Sequence, residues 1–203
     1  MSSVIDPGFG SALEPPLFPV HRFSVAEYEE LGRLGILTED DNVELLEGLI
    51  VPKMTKHPPH DSTIDLLNYF LTKLLPLNWF VRIQNCIATS DSIPEPDLAV
   101  VRGRPGDHRE THPTGADVGL IVEVADSTVA RDRAKAAIYA RAGIPHYWIV
   151  NLDQKQIEIF AEPTSRGKAS TYDFRAVHRG DELVALMLDG KRIGEIRASE
   201  IVH

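Results

Sequence analysis

The feature that most constrains this sequence is a continuous apolar segment, residues 119–124 (GLIVEV), which contains one carboxylate, Glu123. A segment of this length and composition is typical of a strand that is buried on both faces of a sheet. An ionised carboxylate is costly in such a place unless it is paired or binds a metal. The other interpretation is a salt-bridged glutamate at the solvent-facing end of the strand.

The elements around this strand indicate the fold class. Apolar residues recur at helical spacing over residues 61–75, and Pro76 ends the pattern. A second helix, predicted at residues 131–142, joins strand 119–124 to an apolar strand at 146–151 and makes a strand–helix–strand crossover. This order predicts an α/β (α+β) domain with a central mixed β-sheet flanked by α-helices.

The remaining elements are shorter. Ser24 and Glu27 form a capping-box pattern at the start of a first helix. Strands are predicted at residues 43–51 (a strand or a hairpin), 79–88, 97–101, 156–161, 172–177 and 182–186. The proline-rich residues 1–20 lack periodicity, so we expect a flexible arm there and a single domain over residues 21–203.

Composition excludes several classes of protein. The single cysteine, Cys86, excludes an intramolecular disulfide and a multi-cysteine metal cluster. No apolar run approaches the roughly 20 residues that a membrane span needs, and the N-terminus lacks a signal-peptide pattern, so we expect a cytoplasmic protein. The net charge of −9, with scattered Lys and Arg, disfavours tight non-specific binding of nucleic acid by the monomer.

Two further residues give Glu123 a chemical context. Asp97 follows Pro96 at the head of a predicted strand and, taken alone, is typical of a turn. Together, however, carboxylates on adjacent strands can converge on one Mg²⁺ ion. Lys135 lies on the following helix and could orient or deprotonate a water at the same place, although most helix-face lysines are simply solvated.

These residues and their order resemble the Uma-two family. The resemblance rests on Glu47-Gly48, His60, Pro96-Asp97, Val122-Glu123-Val124, Lys135 with Tyr139, and residues 143–150 (GIPHYWIV). It runs from about Phe23 to about Ile201. The members are bacterial proteins classed as restriction endonucleases within the PD-(D/E)XK nuclease superfamily.

The resemblance implies a restriction-endonuclease-like core and metal-dependent hydrolysis of phosphodiester bonds in DNA. Asp97 and Glu123 would bind Mg²⁺, with Mn²⁺ as a substitute, and Lys135 would position the attacking water. Glu47 would complete or orient the metal shell.

Gln84 is a candidate for a role behind the metal ligands or at the substrate backbone. His60 opens the long helix and could contact a phosphate, or it could be an N-terminal cap or a surface residue. Asp132 lies three residues before Lys135, slightly short of the one helical turn in the family pattern, so it is a secondary candidate, and we expect Tyr139 to serve packing.

The sequence departs from the superfamily motif at one position. The motif has a lysine two residues after the strand carboxylate, where this chain has Ala125, so the lysine must come from the helix at Lys135. The acidic net charge and the absence of a strong basic groove motivate one alternative, an inactive nuclease-fold module that binds DNA or protein. A nuclease that cuts RNA or structured DNA is another alternative. We expect a homodimer, because two sites related by a two-fold axis cut both strands of a duplex most simply.

Overall fold

The computed structural model describes residues 19–55, 57–165 and 169–202, so most of the arm predicted at residues 1–20 lies outside it. The helices are α1 (Val25–Arg33), α2 (Pro58–Leu74) and α3 (Val129–Arg141). The strands are β1 (Val43–Leu46), β2 (Leu49–Pro52), β3 (Trp79–Ile83), β4 (Leu98–Arg102), β5 (Val118–Ala125), β6 (His146–Asn151), β7 (Gln156–Thr164), β8 (Thr171–Arg179), β9 (Leu183–Leu188) and β10 (Lys191–Arg197).

A mixed six-stranded sheet organises the fold, as the sequence predicts. Its strand order is β3-β4-β5-β6-β7-β8, and β1-β2 and β9-β10 form separate two-stranded hairpins. Neighbouring strands in the large sheet are antiparallel except β5 and β6, which are parallel. Helix α3 connects these two strands and forms the predicted crossover. No helix in the described ranges is long and apolar enough to span a membrane.

The two faces of the sheet carry separate hydrophobic clusters. On β5, Leu120 and Val122 belong to the cluster that includes α2 and the β9-β10 hairpin. Ile121 and Ala125 belong to the cluster that includes α3. Because side chains alternate along a strand, Glu123 lies on the α3 side. The carboxylate therefore faces the helix that carries Lys135.

Two of the boundaries that differ from the prediction have a local reason. Strand β3 ends at Ile83 because Gln84 adopts a left-handed conformation with φ of 50°. Helix α2 begins at Pro58, three residues earlier than predicted, with prolines at its first two positions. Proline is tolerated there because the first N–H groups of a helix have no intrahelical partner.

The close packing of β5 predicts a stability effect at Gly119. A Cβ atom there would contact Leu188 and lie 2.8 Å from the Trp79 ring. We expect Gly119→Ala to lower the free energy of unfolding by about 1–3 kcal/mol through overpacking, measured by urea denaturation. Gly32→Ala in α1 is the control, since no atom lies within 4 Å of its added Cβ. Equal effects of the two substitutions would contradict the packing described here.

Candidate active site

A cavity of about 390 Å³ lies beside the end of β5 and the first turns of α3. Its charged and histidine lining residues are Glu44, Glu95, Asp97, Glu123, Asp126, Asp132, Lys53, Arg131, Lys135, His57 and His60. Six carboxylic acids therefore face three lysine or arginine side chains. Such a lining attracts cations and, without one, repels an anionic substrate.

Asp97 enters the cavity from the residue before β4. Leu98 is opposed to Val122 across the β4-β5 ladder, so Asp97 and Glu123 follow as the next opposed positions. Asp97 Oδ2 accepts hydrogen bonds from the Val124 backbone N–H at 2.8 Å and from His60 Nε2 at 3.1 Å. The register of two adjacent strands thus brings the two predicted carboxylates together.

His60 supports Asp97 from the first turns of α2. Its Nε2 contacts Asp97 and its Nδ1 lies 3.3 Å from Asp61 Oδ1. Burial alone would lower the pKa of His60, but the hydrogen bonds and charges of Asp97 and Asp61 outweigh it and hold that pKa above its usual value. His60 therefore helps to hold the Asp97 carboxylate in place. It is one of the residues that the sequence predicts at the site.

Glu123 is buried, and both of its hydrogen bonds fall on one oxygen. Its Oε1 accepts from Lys135 Nζ at 3.0 Å and from the Tyr139 hydroxyl at 2.8 Å. Burial raises the pKa of Glu123 and the Lys135 charge partly offsets this rise, so that with the neighbouring carboxylates the pKa is about 8. Burial also lowers the pKa of Lys135, but the surrounding carboxylates outweigh this and raise it above its usual value. Tyr139 packs in the α3 cluster and also orients Glu123, so the expectation of packing alone is incomplete.

Glu44 is a site residue that the sequence analysis does not identify. It lies on β1, and its side chain is only 3% exposed. It accepts from Arg131 at 3.0 Å and from the Glu95 backbone N–H at 3.1 Å, and its Oε1 lies 3.1 Å from Lys135 Nζ. The signal was present in the sequence, since Glu44 is a carboxylate inside a short apolar segment, as Glu123 is.

Glu47 does not reach the cavity, contrary to the expectation from the resemblance. It lies in the β1-β2 turn with φ of 49°, its side chain is 48% exposed, and it pairs with Arg141 at 2.8 Å. Glu44, three residues earlier, lies in strand β1. The fold therefore brings Glu44 to Lys135 and leaves Glu47 at the surface.

Of the two remaining residues that the sequence predicts at the site, Asp132 lines the cavity and the Gln84 side chain does not. Gln84 contacts the site through its backbone, because its N–H donates to the Asp97 carbonyl at 3.0 Å, and its side chain does not line the cavity. Asp132 is buried, lines the cavity and accepts from Thr128 Oγ1 at 2.8 Å. Burial raises the pKa of Asp132, and its hydrogen bond to Thr128 opposes that rise.

The residues present fit a hard divalent cation. Among the described residues, Asp97 Oδ1 and Glu123 Oε2 accept no hydrogen bond. Neither oxygen is fully buried, so both reach solvent. In the same ranges, no group of three or more His, Cys, Asp or Glu residues is arranged to hold a metal. Mg²⁺ commonly uses one or two carboxylates and completes its shell with water and substrate phosphate. The donor set is of that kind.

Comparisons with known proteins agree with the fold and with the resemblance. The family model Uma2, described as "Putative restriction endonuclease", matches residues 25–190, which is most of the chain. A solved structure described as "a putative nuclease belonging to DUF820 from Anabaena variabilis ATCC 29413" is similar with a TM-score of 0.66 and 13% identity, and the match covers 88% of this chain and 97% of that one. At this identity the likeness shows the fold alone. No curated protein matches the chain.

The contrast between Glu44 and Glu47 predicts different effects of the same substitution. Glu44→Gln removes the buried counter-ion of Arg131 and one of the two buried counter-ions of Lys135, so we expect the free energy of unfolding to fall by about 3 kcal/mol. Glu47→Gln removes a half-exposed pair, and we expect a change within about 1 kcal/mol. Urea denaturation of both variants measures the difference. A larger loss in Glu47→Gln would contradict the arrangement described here.

Proposed function

The chain belongs to the Uma2 family, and from that premise we propose that it is a nuclease that hydrolyses phosphodiester bonds in DNA with a divalent cation. One observation carries the proposal: Asp97, directly before β4, and Glu123, on the adjacent strand β5, line the same cavity, and Lys135 Nζ lies 3.0 Å from Glu123. These residue types serve hydrolysis of a phosphodiester, because two carboxylates bind a cation and an ammonium group binds a water or an oxyanion.

Asp97 and Glu123 are the proposed ligands of Mg²⁺, with Mn²⁺ as a substitute. When bound, the cation would neutralise charge on the phosphate and lower the pKa of a bound water. His60 and the Val124 N–H fix the orientation of Asp97, and Tyr139 fixes that of Glu123. We assign to Glu44 the supporting role that the resemblance gave to Glu47, because Glu44 contacts Lys135 in the cavity wall.

Lys135 is proposed to orient the attacking water. An ammonium group has three N–H donors, and Lys135 is shared between two carboxylates, Glu123 and Glu44, which leaves one donor for a water. The same carboxylates raise the pKa of Lys135, so the group stays protonated. Lys135 therefore acts as a hydrogen-bond donor and as a positive charge, not as the group that removes a proton.

Cleavage of supercoiled plasmid tests the proposal. We expect the wild-type protein to nick plasmid in Mg²⁺ or Mn²⁺ and to stop in excess EDTA. Asp97→Asn and Lys135→Gln should lower the rate at least about 100-fold, because each removes a group that acts on the reacting phosphate or water. Glu47→Gln, a carboxylate substitution outside the cavity, should cut at the wild-type rate.

Parallel reactions on single-stranded DNA and on RNA separate the possible substrates. If the protein cut RNA alone, the proposed active site would stand, and RNA would replace DNA as the proposed substrate. If folded wild-type protein cut none of these nucleic acids with either metal, the nuclease proposal would be wrong, and a binding module would be the better interpretation.

We further propose that the protein acts as a homodimer, since two sites related by a two-fold axis cut both strands of a duplex most simply. Sedimentation velocity at micromolar concentration should show a species of twice the chain mass, and double-strand breaks should accumulate at that concentration. A monomer that nevertheless breaks both strands in a single encounter would contradict this arrangement.

A further inference from the structure

We propose that Arg131 binds a phosphate group of the substrate. This inference rests on the proposed function, because it names a contact within the same cavity. Arg131 lies in the first turn of α3 and lines the cavity, and its side chain is 28% exposed. It is thus more accessible than Lys135, whose side chain is 7% exposed.

The guanidinium of Arg131 is held in place by one hydrogen bond, and its other N–H donors remain available. One terminal nitrogen, NH2, donates to Glu44 Oε1 at 3.0 Å. In the described part of the chain, Nε and the second terminal nitrogen make no hydrogen bond. Neither nitrogen is fully buried, so both reach solvent. A guanidinium carries five N–H donors in a planar fork that matches two oxygens of a phosphate.

Arg131 is less tightly paired than Lys135. Glu44 is a single buried carboxylate shared between the two cations. Lys135 also pairs with Glu123, whereas within the described ranges Arg131 makes one ion pair, with Glu44, and a longer-range electrostatic interaction with Asp132.

The other cation in the lining is a poorer candidate. Lys53, with a side chain that is 23% exposed, is nearly as accessible as Arg131, but its Nζ lies 2.8 Å from Glu95 Oε2 in a one-to-one pair. An ammonium group also presents no planar fork to a phosphate. Arg131 is therefore the lining cation that combines exposure with free donors in a planar fork.

Binding to DNA under conditions that prevent cleavage tests this contact. A labelled short duplex is titrated with protein in Ca²⁺ and followed by fluorescence anisotropy. We expect Arg131→Gln to raise Kd roughly 10- to 100-fold, the loss of a charge-assisted contact. Arg131→Lys should lie between this variant and the wild type, because it keeps the charge and loses the fork.

The salt dependence distinguishes a phosphate contact from a structural role. Loss of one phosphate contact should lower the slope of log Kd against log salt concentration by about 0.9 in Arg131→Gln, and Arg131→Lys should keep the wild-type slope. The matched control is Arg133→Gln, two residues away. Arg133 pairs with Glu158 and does not line the cavity, and its substitution leaves Glu158 paired with Arg175.

The outcomes separate this inference from the nuclease proposal. If wild-type protein cuts DNA and Arg131→Gln binds with unchanged Kd and slope, the inference is overturned and the nuclease stands. If wild-type protein binds without cutting and Arg131→Gln loses affinity and slope, the inference holds and the nuclease proposal fails. If Arg131→Gln melts well below the wild type, Arg131→Lys decides: a Kd equal to the wild type would overturn the preference for a guanidinium.

Discussion

The structure around the cavity depends on one buried ammonium, Lys135, which lies between the buried carboxylates Glu123 and Glu44. A buried charge is tolerated only when its partners are in place. Here each partner comes from a different element: Glu44 from β1, Glu123 from β5 and Lys135 from α3. The requirement to neutralise these charges therefore fixes the β1-β2 hairpin and α3 against the central sheet, in addition to their apolar contacts.

The same arrangement places groups of opposite charge side by side in the cavity. Asp97 and Glu123 each keep one oxygen free of internal hydrogen bonds, and such oxygens suit a cation. Lys135, which contacts both Glu123 and Glu44, and Arg131, which contacts Glu44, are groups that suit an anion. The proposed substrate and cation would use both kinds of group. Because the side chains are already held by internal hydrogen bonds, little reorganisation is needed when the substrate binds.

The sequence predicts the fold and much of the site because those features depend on local patterns. Helical spacing identifies α2, and the carboxylate in an apolar strand identifies Glu123. Glu44 carries the same signal, but β1 has only four residues, and the resemblance directed attention to Glu47. That Glu44 and not Glu47 reaches Lys135 depends on how the hairpin packs on α3, across a separation of 91 residues. No local pattern encodes such a contact, just as none encodes the left-handed Gln84 that ends β3.

The separation of Glu44 and Lys135 along the chain also bears on the order of assembly during synthesis. Glu44 leaves the ribosome 91 residues before Lys135 does, and its hairpin has no buried cation to pair with in that interval. The contact closes a long loop, so its entropic cost is met only once β5 and α3 have formed. Until α3 has been synthesised the nascent chain lacks Arg131 and Lys135, so the cavity cannot be complete before the crossover helix docks on the sheet.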